Sequence, residues 1–470
     1  SGRKGRWLFG AFQGRLDSLE IEQLFAVSKT DQDALTETIR IANPGGEPLD
    51  TSAFACGFAK QLVNEKGLAA GMQGDRFSEI PYRRRPETAQ LCDYSLSDIL
   101  LKRDWFAVDR MNWYIMGDIG TKSYSPVWGS EGWAWYNLNE TLLLQKYNAD
   151  AMEWSLMEAV WRTGDNSQDS LVLRFGGAGR WKFGDPEGAA QLKPGESFTF
   201  GQTRLQMLDG GWKEAFYSYR KDMDSRGHNT HIGYNPPVHW NEFYDNPSWW
   251  QPGGDSAETR AKYYRRADMK VEADKAYEIG CECLYLDPGW DTKFASCIWA
   301  DDRLGKETDF VKWIQDEYGF ALALHTPLAA WSDPNGYPDD NWRKDKNGNK
   351  MGGLCSSNQK WVEEKARRLI ELCKNGAYFI MFDGNWFTGE CWDPTHGHSL
   401  PPTRQEHLDA TLRLCQLVHE QYPKVEIELH DPIIGPGVPR YCPTYILHSK
   451  PGSFNVLWGY ELMLFTEEDV

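Results

Sequence analysis

The chain has 470 residues, a formal net charge of −17, 41% hydrophobic residues and 14% aromatic residues, with 22 Trp, 21 Tyr and 21 Phe. That length predicts two domains or one large barrel with an added module. The charge argues against a nucleic-acid or anionic-membrane partner, both of which need a basic surface, and no apolar stretch is long enough to span a bilayer.

The aromatic excess suits stacking on the C–H faces of sugars, although large cores use the same residues. The first residues, SGRKGRWLFG, carry no initiator methionine and no signal-peptide hydrophobic region, so the native N-terminus is expected to be absent. The ten cysteines form no CxxC pair and have no His-rich partners at zinc spacing. They fit a reduced protein, which favours a cytoplasmic location, and no metal centre is expected.

In chain order, the first half reads as β-rich. Segments 37–41, 53–61, 154–158, 169–175 and 197–208 are short and β-prone, and turn clusters such as Asn43-Pro44-Gly45-Gly46 and Lys193-Pro194-Gly195-Glu196 separate them. This pattern predicts a β-sandwich over residues 1–210. Trp212, Ala215, Phe216 and Tyr219 have helical spacing that ends at Gly227, giving a connecting helix and linker over 211–235.

After Asn235-Pro236-Pro237 strands alternate with helices: strand 238–243, helix 256–279, strand 281–287, helix 308–318, strand 320–326, helix 358–375, strand 377–383, helix 403–422 and strand 425–431. Such a series predicts a parallel sheet, and with so many units an α/β barrel of the (β/α)8, or TIM, type over 236–470. No glycine-rich dinucleotide fingerprint follows its first strand. Segments 444–448 and 454–458 read as further strands, and the barrel is expected to be incomplete at the C-terminus.

Candidate site residues stand at the strand ends. In Ala377-Tyr-Phe-Ile-Met-Phe-Asp383-Gly-Asn-Trp386 a buried strand runs into Asp383-Gly384, where the aspartate is equally a turn residue or a catalytic carboxylate. The first strand closes with Trp240-Asn241-Glu242, the second with Asp287-Pro288-Gly289-Trp290-Asp291, the third with His325, and the fifth with Glu428, His430 and Asp431. Glu242 and Asp291 read as structural. Polar residues gathered at one end of a parallel sheet would converge on one mouth. A carboxylate-rich, aromatic-lined mouth suits glycoside hydrolysis, which needs two carboxyls flanking the scissile bond. The chain has no phosphate loop, GxSxG elbow or HExxH motif, so no cofactor or rival chemistry is indicated. In the loop Cys391 to Pro402, His396 and His398 do not make a metal pair by themselves.

The layout and these strand ends resemble glycoside hydrolase family 36, the α-galactosidase-like enzymes of the melibiase group. Trp240-Asn241-Glu242 echoes, in altered order, the family's Asn-Thr-Trp-Glu, and Asp287-Pro288-Gly289-Trp290 echoes its Asp-Asp-Gly-Trp. Met381-Phe382-Asp383-Gly384-Asn385 is similar to Lys-Trp-Asp-Met-Asn, in which the Asp is the nucleophile. The resemblance thus implies a retaining α-glycosidase with Asp383 as nucleophile. Two sugar ligands of the family are replaced, one by Pro288 and one by Met381, which puts galactose in doubt and leaves an α-linked hexoside.

The family's acid/base lies in a Cys-Ser-Gly-Gly-Gly-Arg-Phe-Asp type segment, and aligning Arg440 with its Arg puts Cys442 at the acidic position. Asp431 is the nearest carboxyl substitute, equally readable as a turn residue or a sugar ligand, and Glu428 has a similar claim. Glu426 shares its parity, so alternation does not choose between inside and outside. The expected sugar pocket is Trp240, Asp287, Trp290, His325, Asn385, Trp386, Glu428 and His430, and its partner a carbohydrate; a homo-oligomer is compatible with the sequence. The alternatives are a transglycosidase on the same barrel and a carbohydrate-binding protein that has lost catalysis.

Overall fold

The computed structural model describes residues 2–4, 7–28, 33–51, 54–61, 63–64, 67–68, 74–80, 93–95, 130–148, 153–162, 170–180, 191–227, 235–250, 256–287, 289–384, 388–430, 444–449 and 453–457. The chain divides into two compact units: residues 1–229 with 434–437 and 448–470, and residues 230–433 with 438–447.

The first unit carries a ten-stranded antiparallel sheet in the order Gly2–Lys4, Trp7–Leu16, Leu19–Ser28, Ala34–Ala42, Gln202–Asp209, Glu140–Tyr147, Ser130–Tyr136, Arg76–Ile80, Asp93–Ser95, with Ser197–Thr199 also on Ala34–Ala42. A second antiparallel sheet holds Glu153–Arg162, Ser170–Arg180 and Ala55–Gln61. Alternation directs Ile39 and Ile41 inward, onto Leu192 and Phe200, while Arg40 faces solvent. The expected strand 197–208 is broken at Phe200, whose buried ring stacks on Phe54 at 5.1 Å. Helix Trp212–Ser225 lays Ala215, Tyr219 and Met223 on this unit, and Asp222 accepts a 2.6 Å hydrogen bond from Gln145.

The second unit is built on a parallel sheet whose strands follow chain order: β1 (His239–Asn241), β2 (Cys283–Leu286), β3 (Ala321–His325), β4 (Ala377–Phe382), β5 (Glu426–His430) and β6 (Thr444–Ser449). A further strand, Ser453–Leu457, lies among the residues grouped with the first unit. The crossover helices are α1 (Arg266–Glu278), α2 (Glu307–Tyr318), α3 (Gln359–Asn375) and α4 (Arg404–Gln421). Right-handed crossovers repeated in one direction put all four helices on the same face. The opposite face carries a cluster of buried side chains, Cys283, Tyr285, Ala323, Phe379 and Met381. Among the described residues the sheet is open and no closed barrel forms. Closure requires the last strand to reach the first.

Local signals explain the ends. Asn358 caps α3 by accepting the Lys360 N–H, Thr403 and Glu406 form a capping box on α4, and Gly319 and Gly376 end α2 and α3 in left-handed geometry. The expected helix 256–279 is two helices, Ala257–Tyr263 and α1, because the chain breaks at Tyr264 to send its ring into the core. Strand β1 ends at Asn241, and Glu242 opens a 3₁₀ turn. Between β3 and α3 the chain inserts an antiparallel hairpin, Trp342–Lys344 with Lys350–Leu354, that the sequence reading does not anticipate. No helix among the described residues is long and apolar enough to cross a membrane.

Candidate active site

Strand register decides which side chains meet. Because His325 pairs with Met381 and Met381 with Glu428, these three lie in one row across β3, β4 and β5. The row below contains Asn241, Tyr285, Ala323, Phe379 and Glu426. Glu426 and Glu428 therefore share the face away from the helices. Glu426 sits deeper, accepting the Asn235 N–H and the Tyr378 hydroxyl at 3.3 Å each.

Asp287 follows β2 and Asp383 follows β4, so both project at the C-terminal edge beside His325. His325 Nε2 lies 3.4 Å from Asp383 Oδ2 and 4.0 Å from Asp287 Oδ1. Asn241 donates to Asp287 Oδ2 at 2.7 Å. The ends of four successive strands are thus joined by one polar chain, Asn241–Asp287–His325–Asp383. Asp383 is 8% exposed, and the Gly384 N–H donates to its Oδ1 at 2.5 Å.

The supports beneath come from the residues read as structural. Glu242 Oε1 accepts both the Asp287 N–H at 2.8 Å and the Tyr264 hydroxyl at 2.7 Å, and Tyr264 also reaches the Asp287 carbonyl at 3.0 Å. Burial, followed by the neighbouring Asp287 charge, raises the Glu242 carboxyl well above the ordinary range. Gly289 has φ +132°, and a Cβ there would meet the Tyr264 ring at 2.7 Å, so the Asp287–Trp290 turn requires glycine. The same holds at Gly384, φ +65°, where a Cβ would fall 2.6 Å from that of Trp331. Asp291 caps its own loop by accepting the Cys297 N–H at 3.1 Å, and burial pushes its carboxyl up to about 6.

Two aromatic expectations need correction in position. The Trp240 indole turns toward α1 and donates to Glu272 at 3.0 Å, because its parity is opposite to that of Asn241. Trp290 is 1% exposed, packs on Trp299 and donates to the His325 carbonyl at 2.9 Å, so it braces β3 and offers no open face. The rings beside His325 are instead Phe294 and Trp331, both half-buried, with Trp331 edge-on to the imidazole at 5.7 Å. Both lie in loops that follow β2 and β3, and that position was their available signal.

Asn385, Trp386 and Asp431 lie outside the described residues, as do Pro288, Arg440 and Cys442; His430 ends β5 and its side chain is not described. A cavity of about 500 Å³ belongs to the first unit and is lined by Phe58, Trp135, Leu142, Phe175 and neighbours. Its walls are mainly apolar, so the carboxylate row and not cavity size marks the candidate site.

Local spacing indicates no metal centre, whereas the fold gathers four side chains of metal-ligating type. Cys355, Cys391, His396 and His398 bring their ligand atoms within 4.8 Å of one another. Spacing rules missed them because Cys355 is joined to the other three only through the fold. None of the eight described cysteines is in a disulfide.

No family model matches this chain, and no curated protein matches it by sequence. Solved structures do match. An α-galactosidase of glycoside hydrolase family 36, AgaA from Geobacillus stearothermophilus in complex with stachyose, superimposes with a TM-score of 0.57 at 14% identity, covering 95% of this chain and 59% of that one. AgaB from the same organism gives 0.55 at 14%, covering 91% and 56%. The α-galactosidase from Lactobacillus brevis gives 0.55 at 14%, covering 93% and 56%. The chain spans less than two thirds of the length of these structures. Along nearly all of its own length, this divergent chain has the fold of the family 36 α-galactosidases.

Proposed function

We propose that this chain is a retaining glycoside hydrolase acting on an α-linked hexoside, with Asp383 as nucleophile and Asp431 as acid/base, in an N-terminal β-sandwich (1–210), a connecting segment (211–235) and a (β/α)8-type barrel (236–470). The observation that carries this reading is the convergence of Asp287, His325 and Asp383 at adjacent strand ends. Asp383 attacks the anomeric carbon while the acid protonates the departing oxygen; the same group then deprotonates water, which displaces the carboxylate and restores the enzyme. The Gly384 N–H and His325 fix the plane of the Asp383 carboxylate, which limits the reorganisation needed for attack. To Asp287, held by Asn241, and to Glu428, Asn385, Trp386 and His430 this reading assigns the sugar hydroxyls. Phe294 and Trp331 take over the stacking role first given to Trp240 and Trp290.

The deciding experiment incubates the purified chain with aryl and natural α-hexosides and follows the anomer of the first product by NMR. An α-anomer released first supports the double displacement, and a β-anomer removes it. Sugar binding without turnover would instead support a binding protein, and transfer to an added sugar acceptor in preference to water a transglycosidase.

Met381 carries the substrate prediction. It is 2% exposed, in the row between His325 and Glu428, where the resembling family has a lysine that binds sugar. Met381→Lys is expected to raise the ratio of α-galactoside to α-glucoside kcat/KM by about tenfold or more, with Glu428 as the neighbouring counter-charge. An unchanged ratio in a folded variant would remove this strand position from sugar selection.

A further inference from the structure

We propose that Cys355, Cys391, His396 and His398 form a closed, tetrahedral binding site for one zinc ion. This inference is independent of the glycosidase reading, since it concerns a different set of side chains and a structural role.

The four ligand atoms lie within 4.8 Å of one another, and three of the four residues are buried. Cys355 Sγ is 3.2 Å from His398 Nε2, and Cys391 Sγ is 3.3 Å from His396 Nδ1. Zinc bonds of about 2.3 Å to sulfur and about 2.0–2.1 Å to nitrogen set neighbouring ligand atoms about 3.3–3.8 Å apart in a tetrahedron. The observed S–N separations need to open by only a few tenths of an ångström.

The surroundings orient both imidazole lone pairs inward. His396 turns its far nitrogen, Nε2, to the Asp340 carbonyl at 2.9 Å, and His398 turns Nδ1 to the Ser399 carbonyl at 2.6 Å. A carbonyl accepts only, so each of these nitrogens carries the ring proton. The nitrogen that faces the cluster is then the bare one in each neutral ring, which is the arrangement a metal-bound histidine adopts. Two sulfurs and two imidazole nitrogens in a buried tetrahedron select zinc over the harder cations, and four protein ligands leave no open position for catalysis.

The ion would act as a cross-link. Cys355 follows the hairpin inserted after β3, and Cys391, His396 and His398 belong to the segment that follows β4. Those two loops border the edge on which His325 and Asp383 stand; without the metal, the cluster's own tie between them is the Cys355–His398 contact, beside hydrogen bonds such as those from His396 to the Asp340 carbonyl and from the Trp392 N–H to the Lys344 carbonyl.

The test uses the full chain, expressed with zinc in the medium and desalted. Elemental analysis is expected to find about one zinc per chain, falling at least tenfold in Cys391→Ser and in His396→Ala but not in Cys373→Ser, which removes a buried cysteine outside the cluster. Because the cluster variants can also fail by misfolding, the deciding readout uses the wild-type chain. After zinc is removed with a chelator, Co2+ is expected to give the visible bands of a tetrahedral ion and thiolate-to-cobalt charge transfer, saturating at about one equivalent and abolished by added Zn2+. Wild-type chain that holds only trace zinc and gives no tetrahedral cobalt spectrum overturns the proposal, as does equal zinc loss in Cys373→Ser.

Discussion

Asp383→Ala is expected to lower kcat/KM on any α-hexoside the chain turns over by about a thousandfold or more, equivalent to about 4 kcal/mol of transition-state stabilisation. The expectation rests on position. Asp383 stands one residue beyond β4, and its carboxylate is held on one side by the Gly384 N–H and on the other by His325. Those contacts are too few to hold the fold together, so the thermal midpoint of the variant should shift by only a few degrees while turnover collapses. Azide supplies a sharper readout. In the space left by the carboxylate, an azide ion can attack the anomeric carbon directly, giving the β-glycosyl azide and partial recovery of rate. A variant that keeps more than a tenth of wild-type activity excludes Asp383 as nucleophile. One that loses activity in step with its folded fraction makes the residue structural.

Periodicity made the second unit legible. Each apolar run from β2 to β5 is buried, and each amphipathic helix between them has a cap that can be read directly, such as Asn358 or Thr403. The strand ends were legible for the same reason, since a carboxylate directly after such a run has to project at the edge. Facing was harder to read. Trp240 and Asn241 are neighbours with opposite parity, and only the register of a three-residue strand assigns one to α1 and the other to Asp287. The hairpin after β3 was missed despite Asn347-Gly348, a strong turn signal, because its two short strands show little alternation. The Cys355 cluster was hidden for a different reason. Its members are joined across two loops, and no rule based on local spacing reaches that far.

Glu242 shows how a residue read as structural can still govern the site. It is 1% exposed, its Oε1 holds both the Asp287 N–H and the Tyr264 hydroxyl, and its Oε2 has no hydrogen-bond partner among the described residues. Glu242→Ala leaves the Asp287 N–H unpaired and opens a cavity, at an expected cost of about 2–4 kcal/mol. Glu242→Gln keeps an accepting oxygen of the same shape and is expected to cost less than about 1 kcal/mol at acidic pH. Neither variant carries this titrating proton, so both should gain on wild type in parallel as pH rises, alanine from a lower starting point. Burial, and then the Asp287 charge, raise the folded pKa of Glu242 well above the ordinary value of 4.5. Between those two values the unfolded chain releases the proton that the folded chain retains. The stabilising contribution is therefore complete below the unfolded pKa and is lost progressively up to the folded one. Glutamine has no proton to lose, so Glu242→Gln should gain on wild type above about pH 5, by at most about 1.4 kcal/mol per pH unit. Denaturant unfolding of wild type and both variants from acidic to mildly alkaline pH measures this directly. Parallel curves for wild type and glutamine would mean that Glu242 is ionised in the fold, and the turn presenting Asp287 would then be organised around a buried charge.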